Sequence, residues 1–200
     1  MENTVFVRTY TAPEYDKKEI LRFAGMKGAS DEVNALIDEC IAELGEKLVF
    51  KVCFCNVNVC VCDNVLDLGF AKVPSKDLAK NLENCNSAVL FAATVGIEID
   101  RLIARYATLS PVKSLIFQAI GAERVESLCD MFNVQIVSEA EQTGKKCRPR
   151  FSPGYGDLPL GIQKEIFRVL DCPRKIGLSL NESMLMSPSK SVTAFIGIEK

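Results

Sequence analysis

The sequence predicts an α+β fold with a mainly antiparallel sheet, and three patterns carry that expectation. Between Lys47 and Lys72, β-branched and aromatic residues broken by Asn and Asp suggest three antiparallel strands. Ser87 to Thr94 is a continuous apolar run and reads as a central strand. From Ser110 a helical period persists to Gly144 with no strand beside it, so the strict β-α-β alternation of a parallel sheet is missing.

Taken in order, Val5 to Thr11 reads as a short strand before Pro13, and Asp16 to Met26 as a first helix. Ser30 suits the N-cap of a second helix, because its hydroxyl can accept from an amide that the first turn leaves unpaired. Val33, Leu36, Ile37, Cys40, Ile41 and Leu44 then form one apolar face. Ser75 caps a short helix expected over Lys76 to Asn84. Thr94-Val95-Gly96 joins the central strand to a helix facing inward with Ile99, Leu102, Ile103 and Tyr106. This junction lacks the G-x-G-x-x-G of a nucleotide-binding turn and is read as structural. Ser110-Pro111 is a helix start, with the cap directly before a proline at the first helical position. The long helix that follows allows a kink near Gly121, and it carries Glu123 and Glu126 three residues apart, on neighbouring surface positions. That pair reads equally as an exposed carboxylate patch or as part of a site. Leu160 to Leu170 is expected to be a helix, while Lys175 to Leu180 and Ser191 to Ile198 alternate like strands. Met184 and Met186, between those strands, suit either core filling or a soft surface that accepts a flat macrocycle.

A 200-residue chain with 48% hydrophobic residues can bury one core, so residues 1–200 are read as one domain. A net charge of −2 gives no broad basic field for nucleic acid. No apolar run approaches the roughly 20 residues that span a bilayer. The N-terminus lacks the basic-then-apolar layout of a secretory signal, and a cytoplasmic address is the expectation. With no histidine, the chain offers no imidazole acid, base or ligand, hence no Ser-His-Asp system and no histidine for cobalt. Nine cysteines include Cys53, Cys55, Cys60 and Cys62, but neither pair has the usual zinc spacing. On one continuous strand the two pairs would point to opposite faces, and only a hairpin at Asn56-Val57-Asn58 would gather them. Reduced, mostly buried thiols are the default reading.

The chemistry concentrates near Arg148-Pro149-Arg150-Phe151-Ser152-Pro153-Gly154-Tyr155-Gly156-Asp157. Proline fixes φ and glycine accepts positive φ, so Pro153-Gly154 is the centre of a tight turn. Such a turn sets backbone groups beside Arg150 and Tyr155, which suits a small ligand with a carboxylate and a ring. The same residues would serve equally to reverse the chain. About 25 residues later comes Leu180-Asn181-Glu182-Ser183, followed by Met186, Pro188 and Ser191-Val192.

In this order and separation, the two motifs resemble the activation (reactivation) domain family of cobalamin-dependent methionine synthase, here in a free-standing form. The resemblance is good from about Ser110 to Ile198. It implies a twisted antiparallel sheet flanked by helices. It also implies an S-adenosylmethionine site in which Arg150, Gly154 and Tyr155 match the family's Arg-x-x-x-Gly-Tyr, with Ser152 in the turn and Glu126 as the helix carboxylate. Further implied are cobalamin carried by a partner, the partner itself as a cobalamin-dependent methionine synthase or related corrinoid protein, and a flavodoxin-like electron donor. In that scheme cob(II)alamin is returned to use as the sulfonium donates its methyl group. The family's early aspartate contact has no counterpart near this N-terminus, and Gly156 to Pro159 replaces the family's residues after the tyrosine. Those departures keep open an alternative, a docking module for a corrinoid protein that does not bind S-adenosylmethionine.

Overall fold

A computed structural model of the chain describes residues 4–62 and 65–199. The elements run β1 (Phe6–Tyr10), α1 (Lys17–Phe23), α2 (Asp31–Leu44), β2 (Phe50–Asn58), β3 (Cys60–Cys62), β4 (Val65–Asp67), β5 (Lys72–Pro74) and α3 (Lys76–Asn81). They continue with β6 (Cys85–Thr94), α4 (Glu98–Leu109), α5 (Pro111–Glu141), α6 (Gln163–Leu170), α7 (Cys172–Ile176), β7 (Ser179–Leu180), β8 (Met186–Ser187) and β9 (Ser191–Glu199). The main sheet has four antiparallel strands in the order β1-β2-β6-β9. The α+β expectation of an antiparallel sheet flanked by helices holds.

Alternation along the strands builds two cores. Val52, Phe54, Phe91, Ala194 and Ile196 face one side, where Ile37, Ile99, Ile120 and Phe132 of α2, α4 and α5 cover them. Cys53, Cys55, Leu90, Ala92 and Phe195 face the other, beneath Leu78, Ile166 and Cys172 of α3, α6 and α7. Successive side chains of a strand point to opposite faces, so each strand feeds both layers. Each fully buried Leu, Ile or Phe contributes roughly 1.5–3 kcal/mol.

The cap residues act locally. Ser30, Ser75 and Ser110 accept from the amides of Val33, Leu78 and Lys113 at the starts of α2, α3 and α5. Asp16 does the same for α1 through Lys18 and Glu19. Helix α1 closes at Phe23, short of Met26, because Gly25 turns the chain with φ of 74°. Helix α3 stops at Asn81, short of Asn84, whose own φ of 64° makes the turn into β6.

Other expectations change. The strands between Lys47 and Lys72 are divided between two sheets: β2 joins the main one, while β3, β4 and β5 form a separate three-stranded sheet. That break also disposes of the cysteine cluster, since Cys53 and Cys55 are buried and Cys60 and Cys62 are exposed on the small sheet. Among the described residues no group of cysteine and carboxylate side chains could hold a metal ion. Lys175 to Leu180 is not one strand. The short helix α7 starts at Cys172 with Pro173 in its first turn, Gly177 ends it at φ of 69°, and within that stretch Ser179–Leu180 pairs, with Met186–Ser187. Helix α5 runs through Gly121 as one 31-residue element. Glycine serves close approach there, for a Cβ would lie 2.8 Å from Lys190 Cγ and 2.9 Å from Ile99 Cγ1. Gly96 has the same use against Val49. Among the described residues no helix is long and apolar enough to cross a membrane.

Glu123 does not form an exposed pair with Glu126. It is buried with Arg124, which is fully shielded from solvent. Arg124 Nε donates to Glu123 Oε2 at 2.5 Å, and its terminal nitrogens reach the carbonyls of Pro13 and Glu14 at 2.6 Å. Glu123 also accepts from Ser127 Oγ and the Asp16 amide. The guanidinium lies 3.9 Å from the centre of the Tyr15 ring. This network ties the segment before α1 to the middle of α5.

Candidate functional site

Strand β9 is an edge strand, and residues 146–151 run antiparallel along its outer side. Phe151 and Phe195 exchange both backbone bonds at 2.9 Å, and the Arg148 amide reaches the Gly197 carbonyl. The pairing goes no further because Pro153 has no amide to donate. The chain turns away there: Gly154 takes φ of 89°, its amide bonds the Leu158 carbonyl, and the Tyr155 amide bonds Ser152. The bend therefore spends these amides on itself, contrary to the expectation that its N–H groups stand free.

A second set of bonds staples the bend to α3. Asp157 accepts from the Ser75 hydroxyl at 2.5 Å and from the amides of Lys76 and Asp77 at 2.8 and 3.2 Å, completing the N-terminus of that helix from a distant segment. Its own amide returns a bond to Asp77 Oδ2. Gly156 permits the approach, since a Cβ there would fall 2.2 Å from the same oxygen. The Ser75 hydrogen bond first, then the Lys76 amide, holds the Asp157 carboxyl below its ordinary pKa. A depressed carboxylate stabilises the fold above its unfolded pKa of about 4, and that contribution is lost as pH falls through the lower folded value. The stability difference between the native protein and Asp157→Asn should therefore be present at pH 5–7 and vanish towards pH 2. Urea denaturation across that range checks it, and a difference independent of pH would refute the assignment.

Arg150 lies just before the bend, 26% exposed, with both terminal nitrogens engaged by α5. Nη2 meets Glu126 Oε2 at 2.6 Å and Nη1 meets Asp130 Oδ1 at 2.5 Å. Burial disfavours its charge, but the Asp130 hydrogen bond and the nearby acidic groups outweigh that and raise its pKa. Glu126 and Asp130 are four apart on one helical face, a spacing from which the second carboxylate could have been found. Sequence reasoning placed Glu126 against the ligand; in the structure it is a direct partner of Arg150.

Arg150 and Glu126 border an open cavity of about 410 Å³ at the free end of the β9 edge. The structure brings Glu126, Arg150, Ser152 and Tyr155 around it, with Tyr155 69% exposed at the rim. Gly154 makes the turn without lining the cavity. Sequence reasoning missed Gln163 and Thr193, both lining and both buried. A polar residue at the start of an apolar helix, or on the inward face of a strand, was the available signal. A larger cleft of about 1060 Å³ opens near Phe70, Arg168 and Arg174 and includes no motif residue. Arg168 and Arg174 there pair with Glu165 and Asp171 on their own helices or caps.

A family model described as vitamin B12 dependent methionine synthase, activation domain, matches residues 76–200, the span that supplies every lining residue of the motif cavity. Among solved structures, the reactivation domain of MetH bound to AdoHcy superposes with a TM-score of 0.73. At 14% identity, the alignment covers 98% of this chain and 78% of that one, a likeness of fold. No curated protein sequence matches the chain.

Proposed function

Because the chain belongs to the vitamin B12-dependent methionine synthase activation domain family, we propose that it is an accessory reactivation protein that binds S-adenosylmethionine beside Arg150 and presents it to cobalamin carried by a partner. The observation that supports this reading best is the cavity itself. A guanidinium, a rim tyrosine and buried polar groups converge on one opening large enough for a ligand of that size. The planar fork of Arg150 suits a carboxylate, which it can take in two parallel bonds. Glu126 and Asp130 hold that fork at the cavity edge and offset the positive charge of a sulfonium amino acid. Tyr155 stands outward on the side open to a partner. The chain's work is then positioning, which lowers the entropic cost of bringing donor and acceptor together.

The partner, a B12-dependent methionine synthase or related corrinoid protein, would bring the cobalamin, and a flavodoxin-like donor the electron; the methyl donor held by this chain would leave as S-adenosylhomocysteine. This chain gives the cobalt no histidine ligand. The cavity residues fit the methyl donor: a cation for the carboxylate, carboxylates for the cationic centre, and polar atoms for a heterocycle.

The second reading, a corrinoid-docking module that leaves S-adenosylmethionine unbound, draws on the same arginine, whose terminal nitrogens already hold two carboxylates. Titration calorimetry with S-adenosylmethionine separates the two. Saturable heat at micromolar ligand supports the first reading. A silent titration, with retained capture of a methionine synthase in its cob(II)alamin state, would leave only the second. Absence of both would remove both.

A further inference from the structure

Two buried polar atoms at the cavity have no hydrogen-bond partner among the described residues: Gln163 Oε1 and Thr193 Oγ1. Both residues line the cavity, and their exposures are 4% and 2%. Leaving a buried acceptor unpaired is costly, so such groups are rare in folded proteins unless something else completes them. Two coincide at one opening.

Their placement is not that of Arg150. Along β9, Ala194 and Ile196 belong to the core under α5, whereas Phe195 belongs to the core under α6. Thr193, two residues from Phe195, shares its face and points towards α6, whose first residue is Gln163. Arg150 is held instead by α5 through Glu126 and Asp130. The cavity thus has a charged end on the α5 side of the sheet edge and a neutral hydrogen-bonding end on the α6 side.

We infer that Gln163 and Thr193 read the heterocyclic end of the ligand, Gln163 Oε1 accepting from the exocyclic amino group of an adenine and the Thr193 hydroxyl donating to a ring nitrogen. This rests on the S-adenosylmethionine reading above. An amide oxygen only accepts, so a carboxylate cannot serve it. The α-amino group lies one carbon from that carboxylate and stays with it at Arg150. Of the donors left, the ribose hydroxyls lie in the middle of the molecule and the adenine amino group at the end opposite the carboxylate, the end that matches the α6 side of the cavity. Glutamine and adenine pair well in general because donor and acceptor edges match. The bend's own amides at Gly154 and Tyr155 are spent internally and leave this task to side chains.

The test compares S-adenosylhomocysteine with the analogue carrying hydrogen in place of the 6-amino group, by calorimetry on the full chain. The native protein should favour the amino compound about tenfold or more. In Gln163→Leu that preference should fall to about one. Thr193→Val should weaken both compounds by a similar factor and leave their ratio unchanged. The thermal midpoint of Gln163→Leu without ligand should equal or exceed the native one, since an unsatisfied acceptor has been removed. That readout separates lost recognition from lost folding. If both ligands bind and Gln163→Leu keeps the native ratio, the assignment to Gln163 is overturned while the site at Arg150 stands. If the native protein binds neither compound, the parent reading falls with it.

Discussion

Glu123→Ala should destabilise the protein by about 3–5 kcal/mol, the cost of leaving a buried charge without its partner. Arg124 has no access to solvent, and among the described residues its guanidinium is held by Glu123, the carbonyls of Pro13 and Glu14, and the Tyr15 ring. Removing the carboxylate also strands the Ser127 hydroxyl and the Asp16 amide. Against a total stability of about 5–15 kcal/mol, that loss consumes a large share. The double variant Glu123→Ala/Arg124→Met should recover much of it, because no charge then remains in the interior. Chemical denaturation of the two single variants and the double one yields the coupling directly. Additive effects would mean that the pair does not act as a unit. Exposed pairs such as Lys17–Asp38 should cost no more than about 1 kcal/mol when broken.

Arg150→Ala should weaken S-adenosylmethionine binding by about 10²-fold or more. A charge-assisted, two-pronged hydrogen bond is lost, and Glu126 and Asp130 are left beside the carboxylate's place as negative charges without their partner. Arg150→Lys should fall between, since a single ammonium keeps the charge without the fork. Neutralising the carboxylates with Glu126→Gln/Asp130→Asn separates the two contributions. Binding of the Arg150→Ala protein should improve on that background, because the repulsion is gone, yet stay below native. Unchanged affinity in Arg150→Ala, measured by calorimetry at fixed salt, would remove this residue from the site. Fold loss is not the expected cause, as the side chain is partly exposed and its partners face solvent.

What could be read from the sequence followed the range of the interactions. Ser30, Ser75 and Ser110 cap their helices through amides three residues away, so their role is written within four positions. The bend at Pro153-Gly154 was equally legible, because proline and glycine restrict the backbone by themselves. Ile176, Leu178 and Leu180 misled: their alternation looks like a strand, but Pro173 and Gly177 close a helical turn that buries the first two against the sheet. Glu123 could not be read correctly, since its neighbour Arg124 turns to carbonyls more than a hundred residues earlier. The bend's polar chemistry misled in a different way. Its amides looked available, yet which amide bonds which carbonyl depends on the Leu158 position across the turn. Gln163 and Thr193 come together only because β9 is an edge strand whose flanking segment stops at Pro153, a fact of topology with no local signature.

Strand β2 lies between β1 and β6, so the N-terminal half of the chain supplies an interior stave of the sheet on whose outermost member the cavity opens. Residues 76–200, although they contain every cavity-lining group, would if severed bare the ladder of β6 from Ser87 to Thr94 and take Ile20, Ile37, Cys40 and Leu44 out of the core that holds Val89, Phe91 and Ala93. The portion that carries the recognisable chemistry is thus scaffolded by the portion that does not. Divergence in the first seventy residues is free to reshape the surface, but it must preserve a stave of the same length and register.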